Sequence, residues 1–134
     1  MEKTRILLAD SSTFTRILLA NALGRLGFEV VAVAKNGKEA LEQFTQYSPD
    51  IALIDLKLDG AGGIDVVRAL TKDNPSAAVA LLMPENMDDP DIIVEAVRAG
   101  AKAYIKKPTS GEEVKRRLRN MLKRREEKRP GKRR

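Results

Sequence analysis

Acidic and basic residues at the ends of apolar runs can assemble a phosphoryl-transfer site. Asp10 follows Ile6-Leu7-Leu8-Ala9, Asp55 follows Ile51-Ala52-Leu53-Ile54, and Lys106-Lys107 follow Ala103-Tyr104-Ile105. A fourth run, Ala78-Val79-Ala80-Leu81-Leu82, leads to Met83-Pro84-Glu85. Two carboxylates held close together repel, and so attract a hard divalent cation such as Mg²⁺. With that cation in place, one carboxylate can attack an electrophilic phosphorus. The metal and a lysine then neutralise the equatorial oxygens. Each residue alone has a plainer role. Asp10 suits a helix N-cap, Asp55 a strand-end surface carboxylate, Lys107 a solvated lysine and Glu85 a solvated loop acid. Their joint placement at strand ends is the informative feature.

Composition narrows the chemistry further. The 134 residues include no Cys, which excludes disulfides, thiol catalysis and thiolate metal sites. They include no His, which removes the usual general base and zinc ligand and any phosphohistidine step within this chain. Any metal site must therefore use oxygen ligands. No G-x-x-x-x-G-K-[ST] run occurs, so a P-loop is excluded. Gly60-Ala61-Gly62-Gly63-Ile64-Asp65 lies between a strand and a helix, but Asp65 stands where a dinucleotide turn needs its third glycine. Ser11-Ser12 has no His to activate it as a nucleophile.

The elements that must position these residues alternate. The apolar runs at 5–9, 30–33, 51–54, 78–82 and 103–105 read as strands buried on both faces. Between them lie helical spacings: Phe14, Ile17, Leu18, Ala22 and Leu26; Ala40, Leu41 and Phe44; Ile64, Val67 and Leu70; Ile92, Ile93, Ala96 and Val97. A last helix carries Val114, Leu118, Met121 and Leu122, opened by a Ser110/Glu113 capping box. Gly27 and Gly100 suit helix stops, and Asp89-Pro90 suits a helix start. Five strands alternating with five helices predict an α/β fold, a doubly wound parallel sheet covered on both faces. In such sheets sites form beyond the carboxyl ends of the strands, where Asp10, Asp55 and Lys107 fall.

Length suits one domain. The division is expected at a folded part, 1–125, and a basic, disordered tail, 126–134, signalled by Pro130-Gly131. The overall charge of +6 hides a partition. Residues 112–134 hold twelve basic and four acidic side chains, a net of +8, whereas residues 1–111 are slightly acidic at −2. Such a tail is a solvated helix face and free end, or a contact for an acidic partner or nucleic acid. No apolar run reaches the roughly 20 residues of a membrane span. The polar Met1–Arg5 lacks a secretory h-region, so no membrane association and a cytoplasmic setting are expected.

These features together resemble the receiver domains of bacterial response regulators, the CheY-like family, over about residues 3–125. The resemblance rests on Arg5–Ser12, Leu26–Val30, Asn36–Leu41, Pro49–Leu56, Ala99-Gly100-Ala101 and Tyr104–Pro108, in order and spacing. It implies a flavodoxin-like (CheY-like) strand order 2-1-3-4-5. It implies that Asp55 is the phosphoacceptor, that Asp10, Asp55 and the backbone carbonyl of Lys57 bind Mg²⁺, and that Lys107 pairs with the phosphoryl group. Tyr104 falls where the family carries an aromatic that reorients on activation, and Gly63 at the turn glycine after the phosphoacceptor. The chain also departs from the pattern. Ala9 replaces one of two adjacent acids, so weak Mg²⁺ binding is expected. Counting back from Gly100 places Glu85 where the family has a Thr or Ser hydroxyl, and Asp59 replaces a usual proline.

The implied function is a single-domain response regulator of a two-component phosphorelay. A histidine kinase would phosphorylate Asp55, and a downstream protein would bind the face formed by helix 4, strand 5 and helix 5. Such a chain is not a conventional enzyme, although it can catalyse its own phosphotransfer and dephosphorylation. Ala9 and the missing hydroxyl motivate an alternative, a pseudo-receiver that binds partners without phosphate. A third reading is nucleic-acid contact through Arg116-Arg117, Lys123-Arg124-Arg125 and Lys128-Arg129.

Overall fold

The computed structural model describes residues 2–60, 62–107 and 110–128, with side chains as far as Arg124. Strands and helices alternate without exception: β1 Arg5–Ala9, α1 Thr13–Arg25, β2 Glu29–Ala34, α2 Gly37–Tyr47, β3 Ile51–Asp55, α3 Gly63–Lys72, β4 Ala78–Met83, α4 Pro90–Ala99, β5 Ala103–Lys106 and α5 Gly111–Lys128. The strands form one parallel sheet in the order β2-β1-β3-β4-β5. This is the expected α/β fold with its expected strand order.

Side-chain alternation divides each strand between two cores. Leu7 and Ala9 of β1 face a cluster with Val67, Leu70, Ala96 and Ala99, on the side covered by α2, α3 and α4. Ile6 and Leu8 face a second cluster with Leu23, Val114, Leu118 and Met121, under α1 and α5. Every residue of β3 and β4 is buried, as continuous apolar runs in a doubly covered sheet require.

The helix ends are fixed by local chemistry. Ser12 caps α1, its hydroxyl accepting the Thr15 N–H at 3.2 Å. Asn36 caps α2 by accepting the Glu39 N–H, and the Glu39 carboxylate accepts the Lys35 N–H. Asp89 caps α4 ahead of Pro90, and Gly100 ends that helix at φ 116°, a left-handed value suited to glycine. At α5 the Ser110 hydroxyl accepts the Glu113 N–H. The Glu113 carboxylate turns to Arg116 and Arg117, so only half of the expected capping box forms.

Two expectations change. The apolar residues of α1 do not share one inward face: Phe14, Ile17 and Leu18 are exposed, and Leu23 is the buried anchor. Apolar side chains surround this helix, so the spacing alone carries no direction. The helix α5 continues to Lys128, past the boundary expected at 125, because the Lys/Arg/Glu run contains no breaker before Pro130. Of the expected disordered tail, 126–128 is thus helical, and 129–134 lies outside the described residues.

A further tie joins α3 to α4. The buried Thr71 hydroxyl lies 2.7 Å from the Ala99 carbonyl and 2.9 Å from that of Val67. A Cβ at Gly100 would fall 2.4 Å from that hydroxyl oxygen.

Candidate functional site at the carboxyl edge of the sheet

Parallel strands deliver their ends to one edge, and Asp10, Asp55 and Lys107 bring charge there. Asp10 directly follows β1, Asp55 ends β3, and Lys107 directly follows β5. Asp10 is 1% exposed and Asp55 7%. They are the only buried charged residues among those described. The Lys107 ammonium lies between them, 3.1 Å from Asp10 Oδ2 and 3.7 Å from Asp55 Oδ1.

Each carboxylate has a second anchor. Asp10 Oδ1 accepts the Ser12 N–H at 2.9 Å, so Asp10 shapes the entry to α1 while Ser12 forms the cap. Asp55 Oδ1 lies 3.4 Å from the Lys57 backbone nitrogen, a long hydrogen bond. Burial pushes the Asp55 carboxyl above its ordinary range, and the charge of Asp10 adds to that rise. Lys107 and the Lys57 N–H oppose it.

Neighbouring turns hold this edge. The Ser11 hydroxyl accepts the Asp59 N–H at 2.7 Å, and the Asp59 carbonyl accepts the Gly37 N–H. The loops after β1, β2 and β3 are thus tied together. Arg16, one turn into α1, donates to the Asp10 carbonyl at 2.7 Å. Sequence reasoning did not identify Arg16, and it weighed Ser11 as a nucleophile and not as a tie between loops. Their one available signal is position, Ser11 next to Asp10 and Arg16 six residues on. Gly63 has a geometric requirement: a Cβ there would fall 2.3 Å from the Asp55 carbonyl oxygen. The start of α3 therefore packs against the Asp55 backbone, which only glycine permits.

The remaining candidates lie elsewhere. Lys57 is exposed, and its carbonyl is the group offered as a ligand. Glu85 is exposed in the β4–α4 loop. The ladder pairs Met83 with Lys106, and the Lys107 N–H donates to the Met83 carbonyl. Pro84 and Glu85 follow the last ladder pair, in the loop that leaves the end of β4. Pro84 offers neither hydroxyl nor N–H. Tyr104 is half-buried on β5, with the Arg117 guanidinium 5.6 Å from its ring centroid. Arg117 also donates to the Tyr104 carbonyl at 3.2 Å.

The donor set suits a hard cation, but sparsely. Two buried carboxylates and a nearby backbone carbonyl are oxygen ligands of the kind Mg²⁺ takes. Among the described residues no third acid joins them. Ala9, fully buried in the core, supplies none.

The family model of the response regulator receiver domain matches residues 6–119. The chain belongs to this family. Among curated relatives, this receiver is 34% identical to the chemotaxis protein CheY of Thermotoga maritima, over 78% of this chain and 85% of that protein. It is 33% identical to the chemotaxis protein CheY of Bacillus subtilis, over 82% of this chain and 90% of that one. Among solved structures it matches a receiver domain protein of Clostridium thermocellum with a TM-score of 0.81 and 28% identity, over 90% of this chain and 95% of the other. The receiver is thus a CheY-like module of two-component signalling and not a conventional enzyme. Among the described residues, no helix is long and apolar enough to cross a membrane.

Proposed function

We propose that this receiver is operated by phosphorylation of Asp55, with a phosphohistidine of a histidine kinase as the donor. A carboxylate oxygen of Asp55 attacks phosphorus, the bond from phosphorus to the donor breaks, and an acyl phosphate forms on Asp55. Lys107 pairs with the transferred group and offsets its added negative charge. Asp10 holds Lys107 in place and keeps the edge anionic before transfer. Asp10, Asp55 and the Lys57 carbonyl would hold Mg²⁺, which supplies neutralisation of the phosphoryl oxygens. Two acids instead of three predict weak binding of the ion.

The observation that carries this reading is the position of the Lys107 ammonium, within 3.1 Å of Asp10 and 3.7 Å of Asp55 at the edge where the strands end. A raised Asp55 carboxyl is consistent with it, because the site disfavours a second bare anion next to Asp10. A shallow cleft of about 320 Å³ between α4, β5 and α5, lined by Ile93, Val97, Tyr104 and Arg117, is the surface offered to a downstream protein.

The test is intact-protein mass after incubation with Mg²⁺ and acetyl phosphate, beside an Asp55→Asn control. Gain of one phosphoryl group, absent from the control, is expected. No gain at high Mg²⁺ would instead support a module that binds its partner without phosphate.

A further inference from the structure

We propose that the C-terminal part of α5 docks on the phosphate backbone of a nucleic-acid duplex without reading its sequence. The family match ends at residue 119, yet α5 runs on to Lys128. Its inward residues, Val114, Leu118 and Met121, are buried under the sheet. Beyond them, Arg119, Lys123 and Arg124 are exposed. No carboxylate among the described residues pairs with any of the three.

Charge density singles out this end of the chain. Residues 123–134 contain eight basic and two acidic side chains, a net of +6 in twelve positions. Residues 1–111 have a net of −2, so an anion is drawn to the end of α5 and away from the body. Cations at a helix C-terminus offset the macrodipole, but that accounts only for the last turn. A charge of this density is suited to a polyanion.

The composition selects among polyanions. After Leu122 the only non-polar residues are Pro130 and Gly131. A protein interface takes most of its energy from aromatic and apolar anchors, which this segment lacks. Stable attachment to an anionic membrane needs a second signal, an inserted apolar face or an acyl chain. The chain has no Cys to carry such a lipid. Single-stranded nucleic acid is held by stacking on aromatic rings, and none lies in α5 or after it. A duplex needs none of these. It presents one negative charge per roughly 1.7 Å of axis, and counterion release alone drives non-specific binding. Five of the eight basic residues are Arg, whose fork engages phosphate oxygens in pairs.

The experiment is fluorescence anisotropy of a labelled DNA duplex of about 20 base pairs, titrated with the full chain from about 50 to 200 mM KCl. Binding is expected across that range, equal for a scrambled sequence and weaker for a single strand of the same length. Replacing Lys123, Arg124 and Arg125 by Ser should weaken binding at least about tenfold and reduce the log–log salt slope by about 2–3. Glu126→Lys with Glu127→Lys should tighten binding and steepen the slope, so the outcome does not depend on one variant's folding. The proposal is overturned if the duplex is not bound at about 150 mM KCl, or if both variants bind as the native chain does. Stronger capture on phosphatidylserine vesicles than on the duplex at equal salt overturns it as well.

Discussion

Folding disfavours the anionic form of Asp55. Burial and the adjacent Asp10 raise its carboxyl above the unfolded value. The folded chain therefore binds that proton more tightly than the unfolded chain does. The resulting stability is complete below the unfolded pKa and is lost as pH rises through the raised one. Asp55→Asn should accordingly raise Tm at pH 7 in the absence of Mg²⁺, by about 4 °C for each kcal/mol regained. The gain should shrink as the pH falls through the raised value to the ordinary carboxylate value of about 4. Thermal melts of both proteins at the two pH values check this. An equal gain at both would assign the effect to something other than charge.

Lys107 is the counterpart. Lys107→Met would leave two buried carboxylates without their shared cation. We expect a loss of about 1–3 kcal/mol in denaturant unfolding. Much of that loss should disappear in the Asp55→Asn background, since one of the two repelling charges is then gone. A double-mutant cycle that shows simple additivity would mean that the ammonium does not couple to Asp55.

At the scale of elements, the contact between α3 and β3 sets where Asp55 stands. Gly63→Ala would drive a methyl group into the Asp55 carbonyl and the Leu56 backbone. The helix must then move away, at a cost of about 1–3 kcal/mol. Because the same contact positions Asp55, the proposed acceptor, the yield of phosphorylation with acetyl phosphate should fall further than stability explains. A variant that is destabilised yet phosphorylated like the native chain would separate the two effects. The strands themselves were legible in the sequence, because β3 and β4 are buried on both faces and so read as unbroken apolar runs. Asp10, Asp55 and Lys107 were legible for the same reason: each occupies a fixed step at a strand end. What escaped was whatever depends on direction or on loop length. The apolar residues of α1 surround the helix, so Phe14, Ile17 and Leu18 gave no sign of facing outward. The count from Gly100 back to Glu85 runs through the β4–α4 loop, beyond the last ladder pair of Met83 with Lys106.

Over the whole molecule, chemistry and charge occupy different places. The carboxylate pair lies where the strands end, and the excess positive charge lies along α5 and beyond. The composition showed that partition; it did not show that the helix carries the charge on to Lys128. The fold also fixes which parts can move relative to one another. Thr71 binds the Ala99 carbonyl through a hydroxyl packed against Gly100, joining the last turns of α3 and α4. Near the site, by contrast, the loop before α4 is tied to β5 by an exposed Lys106–Asp88 pair at 3.5 Å, a weak link in water. Helix α4 is therefore pinned to α3 at its last turn, and Thr71→Val would leave the Ala99 carbonyl without that hydroxyl partner.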